Sequence, residues 1–559
     1  MRKGIVQFLM VCLSFVFFLG PASEAGAIGL LDDTLEITGF LKIETGWRLK
    51  DHVWYDTLQM QQWGILQENA KQKSGNLSRC RTTAQLEAQW DITSNLRLNS
   101  IFRAFYEAKY SLNDSTYDDP DLVYSRWDFG NAHSLPNGEK LREDFDIREM
   151  YLIHQTGDFT IRAGKQQIVW GESDNIRIAD IINPLDYSWL FTYPDWEDIR
   201  IGQRMIDVVW VAPGSPHEFQ IEVVLNPEDY KPSTWAPYGE NWYIRGDNSW
   251  DPAFPQLASA LQALPDATLI AMGLNPESVA NINVTQSPGD AEKDAEKEAR
   301  PEKHDLNNFS GGIRLRGVFG NFDCYLFNYY MRVHDAAFTT NPDTSYEVLG
   351  IYGLDPADNT FGIKAHYPFI YTLGGSVNFY EDYTQSVYRI ELGYIFDEPF
   401  TSFVPEWGTP GTEVVKIDTL QYMIGFDRPT WIPFLNRTKT FFVSAQFIHK
   451  LYFDYDEDDD IKLITVSGKK GYEDHSTMIT VNIDTEYWDG QIKPQFVGVW
   501  DINGHGGILW PKLGWEPTYE IRLELGAKYL WSDSDATGLS KFGSQETNDE
   551  LYFMIEYKF

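Results

Sequence analysis

Apolar and polar residues alternate along most of this chain. In residues 548–559, Leu551, Phe553, Ile555, Tyr557 and Phe559 fall on one face, and Glu550, Tyr552, Met554, Glu556 and Lys558 on the other. A period of two marks a strand with one oily and one wet face. Near the start, Leu35, Ile37, Leu41, Ile43 and Trp47 oppose Glu36, Lys42, Glu44 and Arg48. Ala84, Leu86, Ala88, Trp90 and Ile92 oppose Arg79, Arg81, Gln85, Glu87 and Asp91, and a tight turn at Thr93-Ser94-Asn95 leads into a strand through Arg103. Further strands are predicted near 147–155, 159–170, 203–211, 218–226, 309–318, 322–332, 366–379, 387–396, 419–427, 438–449, 476–485, 491–500, 506–515 and 519–531. The pair 147–155 and 159–170 resists face assignment, because Met150-Tyr151-Leu152-Ile153 is apolar on both sides.

This makes about 18 strands, with 16 as the alternative count; the connections after the second, fourth, sixth and eighth are short, and those after odd-numbered strands are mostly long. Alternating connections over a whole chain are the rule of outer-membrane barrels: short periplasmic turns, long extracellular loops. A soluble sandwich or propeller has no reason to follow it. The expected fold is all-β, a single antiparallel transmembrane barrel over residues 28–559. The last strand would close it against 35–49. Phe559 would then mark the periplasmic rim and, as in other barrels, serve as an assembly signal for the barrel assembly machinery.

Before the first strand, Arg2 and Lys3 precede the apolar run Gly4–Leu19, and Ala25-Gly26-Ala27 supplies a small-residue cleavage site. This reads as a signal peptide over 1–27; a membrane anchor would need a longer run. No later segment approaches 18 continuous apolar residues. Barrel strands hide theirs in alternation, which suits a mean hydropathy of -0.37 beside 15% aromatics.

A formal net charge of -36 argues against nucleic-acid binding. Past the leader only Cys80 and Cys324 remain, too few for a disulfide framework, and their pairing stays open. There is no Cys-x-x-Cys-His for covalent haem, so no cofactor is expected. Gly-x-Ser-x-Gly and His-Glu-x-x-His are also missing, and the ten histidines are scattered, so an enzyme is not expected. The acidic run Asp454–Asp460 fails the EF-hand pattern, with Asp459 at the glycine position and Thr465 at the final glutamate. It reads as a solvated loop rather than a metal site, with bridging to lipopolysaccharide through divalent ions as the alternative.

A Lys or Arg facing lipid at the midplane costs roughly 2–4 kcal/mol, so charged faces turn to the lumen. That makes Arg79, Arg81, Arg97, Arg103, Arg162, Arg314, Arg316, Arg389, Glu391, Arg522 and Glu524 candidate pore-lining residues. They either brace the wall by pairing across strands or form a basic ladder for an anionic or amphipathic solute. The connection 171–201 is too apolar for an exposed loop. It either folds inward, with Trp189, Phe191 and Trp196 lining a constriction, or packs against other loops. The longest insertion, 227–308, carries a possible short helix at 254–264 and a charged run at 289–305 that reads as a solvated loop.

Two stretches carry a resemblance. One is Arg162-Ala-Gly-Lys-Gln-Gln-Ile-Val-Trp-Gly-Glu-Ser173 followed by Ile182-Asn-Pro-Leu-Asp186; the other is Tyr367-Pro368, Gly374-Gly-Ser376, Arg389-Ile-Glu-Leu-Gly-Tyr394 and Glu398-Pro399. They resemble a family of proteobacterial, porin-like outer-membrane proteins known mainly as a domain of unknown function, with Lys165 where that family has Arg. The resemblance implies an outer-membrane location and traffic in hydrophobic compounds, and supplies no catalytic residues. The functional expectation is a channel or transporter for small solutes, including hydrophobic or amphipathic ones. The alternative is a structural or interaction barrel: a sheath for a periplasmic envelope or electron-transfer partner, or a display of adhesive loops.

Overall fold

In the computed structural model the strand pattern closes on itself. The described residues are 28–53, 71–112, 141–188, 196–235, 262–271, 298–340, 363–404, 409–453, 474–532 and 545–559, apart from a few isolated positions. Eighteen antiparallel strands form the wall: β1 (Leu35–Arg48), β2 (Leu77–Thr93), β3 (Leu96–Glu107), β4 (Glu143–Thr156), β5 (Phe159–Gln166), β6 (Gln203–Val211), β7 (Gln220–Asn226), β8 (Ser310–Phe319), β9 (Phe322–Arg332), β10 (Phe369–Glu381), β11 (Ser386–Val404), β12 (Thr409–Thr430), β13 (Phe441–Tyr452), β14 (His475–Asp484), β15 (Ile492–Asp501), β16 (Gly506–Trp515), β17 (Ile521–Ser532) and β18 (Glu550–Lys558). Each pairs with its neighbours in sequence. β18 pairs with β1 from Phe40↔Lys558 to Arg48↔Glu550, so the wall has no open edge.

The two faces separate as alternation requires. Ile43, Trp47, Ile313, Leu315, Leu326, Leu392, Ile424, Leu525 and Ile555 are exposed on the outside. In water such a belt would be a large apolar patch; in a bilayer it meets acyl chains. Two rows of rings bracket it. Phe322, Phe379, Tyr388 and Phe426 are register partners across β9–β12, with centroids 5.1, 5.5 and 5.7 Å apart. Eight residues further along the same strands stand Tyr330, Tyr371 and Phe396. At about 3.3 Å per residue the rows are ~26 Å apart along the strand. At a tilt of ~40° that is about 20 Å of height, near the apolar band of an outer-membrane barrel.

Where element bounds depart from the pattern, a local cause is visible. In β4 the β3 partners jump from Glu149 to Ile147, leaving Arg148 as an extra residue. This bulge switches parity: Phe145 faces out before it, Met150 and Leu152 after it. That switch is why no single face could be assigned. β5 stops at Gln166 rather than running to 170, because the chain turns inward there. β11 and β12 run well past the expected 396 and 419, beyond a register shift between Ile395 and Glu398 with Asp397 at φ 52°. The wall strand expected from 366 starts at Phe369, and His366 belongs instead to Ile363–His366, which pairs with Ala337–Thr340 as a separate hairpin.

In the 227–308 insertion a helix spans Asp266–Ala271; residues 254–261 of the expected helix lie outside the described residues. The charged run is not wholly solvated, since Ala299 packs against the interior. Residues 1–27, expected to be a signal peptide, and most of the acidic run 454–460 also lie outside the described residues.

Candidate functional site: a bridge across the lumen

After β5 the chain leaves the wall and enters the barrel. Asn183, fully buried, ties both ends of this segment. Its Oδ1 accepts from Ile168 N at 2.9 Å and its Nδ2 donates to Ile201 O at 3.1 Å. Its carbonyl accepts from Arg177 at 2.7 Å. Asp180 holds Arg177 and Arg200 at 3.3 and 2.8 Å. Gly171 lies so close to this turn that a Cβ would come within 2.7 Å of Asp180 N, which explains a glycine in the Trp-Gly-Glu-Ser stretch.

One arm reaches the wall at β11–β13. Arg389 on β11 grips both oxygens of Asp174 at 2.9 and 2.6 Å and the Glu172 carbonyl at 2.7 Å, while also holding Asp427 of β12 at 2.8 Å. Gln446 of β13 donates to Asp174 at 3.0 Å. Glu391, fully buried, accepts the backbone N–H groups of Glu172 and Ala179 at 2.7 and 2.5 Å. Burial pushes the Glu172 carboxyl upward, and Asn378 hydrogen-bonds it. Ile178 packs with Met423, Ile448 and Met478 of β12–β14.

The other arm is the helical turn Trp196–Ile199. Asp198 meets Lys42 of β1 at 3.3 Å and Arg103 of β3 at 2.6 Å. Arg148 of β4 donates to the carbonyls of Glu197, Asp198 and Arg200 at 3.2, 3.0 and 2.8 Å, which are free at a helix end. Burial alone would raise the Asp198 pKa. Lys42, then Arg103 and Arg148, outweigh it and hold the carboxyl well below the usual range. The arms meet where Trp196 Nε1 donates to Asp174 O at 2.6 Å. In a ring of eighteen strands β4 and β13 are nine apart, so the segment ties opposite walls.

The side toward β6–β10 is filled by a buried cluster that includes Ile168, Trp170, Ile182, Tyr325, Phe327 and Tyr329. Trp170 sits 5.6 Å from both Phe327 and Tyr329, with the Arg314 guanidinium 5.6 Å over its ring. Tyr230 of the long insertion enters the same cluster and donates to Val333 O at 2.8 Å. His334 binds the Lys231 and Ile182 carbonyls at 3.2 and 3.1 Å; burial, with Arg177 nearby, pulls its pKa down to about 4.

The predicted residues fall as follows. Trp196 is in the bridge; Trp189 and Phe191 lie outside the described residues. Arg103, Arg389 and Glu391 hold the bridge. The other arginines pair along the wall: Arg79 with Glu44 and Glu550, Arg81 with Glu107, Arg162 with Asp207, Arg314 with Glu222, and Arg522 with Glu524. Arg97 with Asp91 and Arg316 with Asp323 sit beside short turns at the rim. Every one of these arginines has a carboxylate within 4.0 Å, an arrangement of bracing. The alternation along each strand pointed to these arginines. It did not point to Asp174, Asp198 or Asn183, which lie off the wall; the apolar composition of 171–201 marked their segment, and the resemblance covers Asn183 alone of the three. Cys80 and Cys324 are both free. No metal-holding group of three His, Cys, Asp or Glu occurs among the described residues.

Three solved structures illustrate the likeness of this chain to known barrels. OccAB1 of Acinetobacter baumannii is 7% identical, with 95% of this chain and 98% of that one covered at a TM-score of 0.44. OccK8 (OprE) of Pseudomonas aeruginosa is 8% identical, covering 96% and 99%, at 0.43. The outer membrane channel DcaP of A. baumannii is 9% identical, covering 96% and 99%, at 0.37. None of the curated proteins matches the chain. The family described as "Protein of unknown function (DUF1302)" matches residues 8–559, and the chain belongs to that family.

Proposed function

We propose that this barrel is an outer-membrane channel for small solutes, hydrophobic or amphipathic ones among them, and that segment 167–202 is its constriction. Its short turns face the periplasm and its long loops the exterior. One observation carries this reading: the segment is anchored at opposite walls, by Asp198 to Lys42 and Arg103 and by Asp174 to Arg389. A loop fixed at both ends across a lumen narrows the path and sets which groups a solute passes. With the wall arginines paired, selection falls to the bridge and to its half-buried Trp196, a surface for apolar or amphipathic solutes.

The buried cluster that fills one side of the interior favours a second reading, a closed barrel that serves a periplasmic partner. Liposome swelling separates the two. Vesicles carrying the folded protein should admit small solutes, and Asp174→Ala/Asp198→Ala should admit larger ones. Vesicles impermeable with both proteins, each folded by its heat-shifted mobility on a gel, favour the closed barrel.

A further inference from the structure

Between positions 428 and 439 the chain carries Arg428, Arg437 and Lys439 and no acid, in a protein of net charge -36. Register sets Arg428 on the outer face: it pairs with Val443 and follows Phe426, a member of the ring row beside the short turns, by two residues. That places it about 7 Å further along the strand, at headgroup depth if the ring row marks the acyl boundary. The turn that follows exposes Trp431 (52%), Phe434 (84%) and Leu435 (54%), and Trp488 of the neighbouring turn stands 76% exposed.

This apolar tip is held in shape. Asn436, buried, accepts from Thr438 N and Lys439 N at 3.0 Å and donates to Thr485 Oγ1 at 3.0 Å and Glu486 O at 2.9 Å. Tyr487 ties the two turns through the Leu435 carbonyl at 3.3 Å. Other cations at this end are neutralised: Lys493 by Glu516 at 2.5 Å, Arg97 by Asp91 at 2.6 Å. Lys439 lies 3.8 Å from Glu486. Among the described residues, Arg428 and Arg437 have no ion-pair partner.

Two unneutralised guanidiniums beside exposed indole and phenyl rings are the chemistry of a phosphate-bearing interface. We propose that the turn from Arg428 to Lys439 is a docking surface for anionic phospholipid headgroups in the leaflet on the short-turn side. The inference rests on the membrane reading of the barrel. A water-borne acidic protein fits less well, because Arg428 shares its strand face with the lipid-facing residues Ile424 and Phe426.

The test is the heat-denaturation midpoint of the full chain in phosphatidylcholine vesicles with and without added phosphatidylglycerol. Wild type should gain a higher midpoint with phosphatidylglycerol, and high salt should remove the gain. Arg428→Gln/Arg437→Gln should lose at least half of it while folding equally in phosphatidylcholine. A variant that keeps the full gain, or a wild type that shows none, overturns the proposal. Failure of both proteins to form a heat-shifted band in any vesicle would instead remove the membrane reading beneath it.

Discussion

At Asn183 a single side chain joins the entry and the exit of the bridge, and both bonds are inside the barrel. Asn183→Ala leaves the buried Ile168 N–H and Ile201 C=O without these partners, a cost of roughly 1–3 kcal/mol for each such group. The wall ladder does not depend on them. The expected outcome is an unchanged heat-denaturation midpoint with faster proteolytic cleavage between 171 and 201; equal protection would count against the clamp. Asp198 makes a pH prediction. Its folded pKa is depressed, so its stabilisation is present above the unfolded value of about 3.9 and is lost only as pH falls through the lower folded value. The Asp198 arm of the bridge should therefore stay anchored from neutral pH down to about 4. Faster proteolytic cleavage at 196–201 on lowering the pH over that range would contradict this. The lumenal arginines were legible from alternation, because a charge on the outer face is heavily penalised. Asp198 was not, because its partners lie on strands far away in sequence.

Strands were legible where each face keeps one character, as in β17 and β18. They were not where a bulge changes the parity, as at Arg148, or where backbone irregularity at Asp397 breaks the pattern midway. The inward path of the β5–β6 connection showed in its composition: Ile181, Ile182 and Leu185 need cover, and Ile182 and Leu185 are buried. The polar anchors that fix its direction carry no periodic signal. The last strand adds a prediction of its own. Phe559 exchanges both backbone bonds with Gly39, at 2.9 and 3.0 Å, and its ring lies where a Cβ on Gly39 would meet it at 2.9 Å. Deleting Phe559 removes the final rung of the closing seam and should lower the amount of folded barrel at the cell surface. Normal surface levels would remove the assembly role.

Over the whole molecule, closure of β18 on β1 leaves the wall no open edge, and the two aromatic rows on β9–β12 stand near the height of an outer-membrane apolar band. The closed barrel was legible because short connections alternate with mostly long ones, the four-residue link 502–505 between β15 and β16 being an exception. What occupies its lumen was not, since that depends on contacts between residues hundreds of positions apart. Planar-bilayer recording tests the central claim most directly. Wild type should show discrete conductance steps, and Asp174→Ala/Asp198→Ala, folded to the same heat-shifted band, should show larger ones. Steps of equal size from the two proteins would contradict a constriction held across the lumen by these two carboxylates.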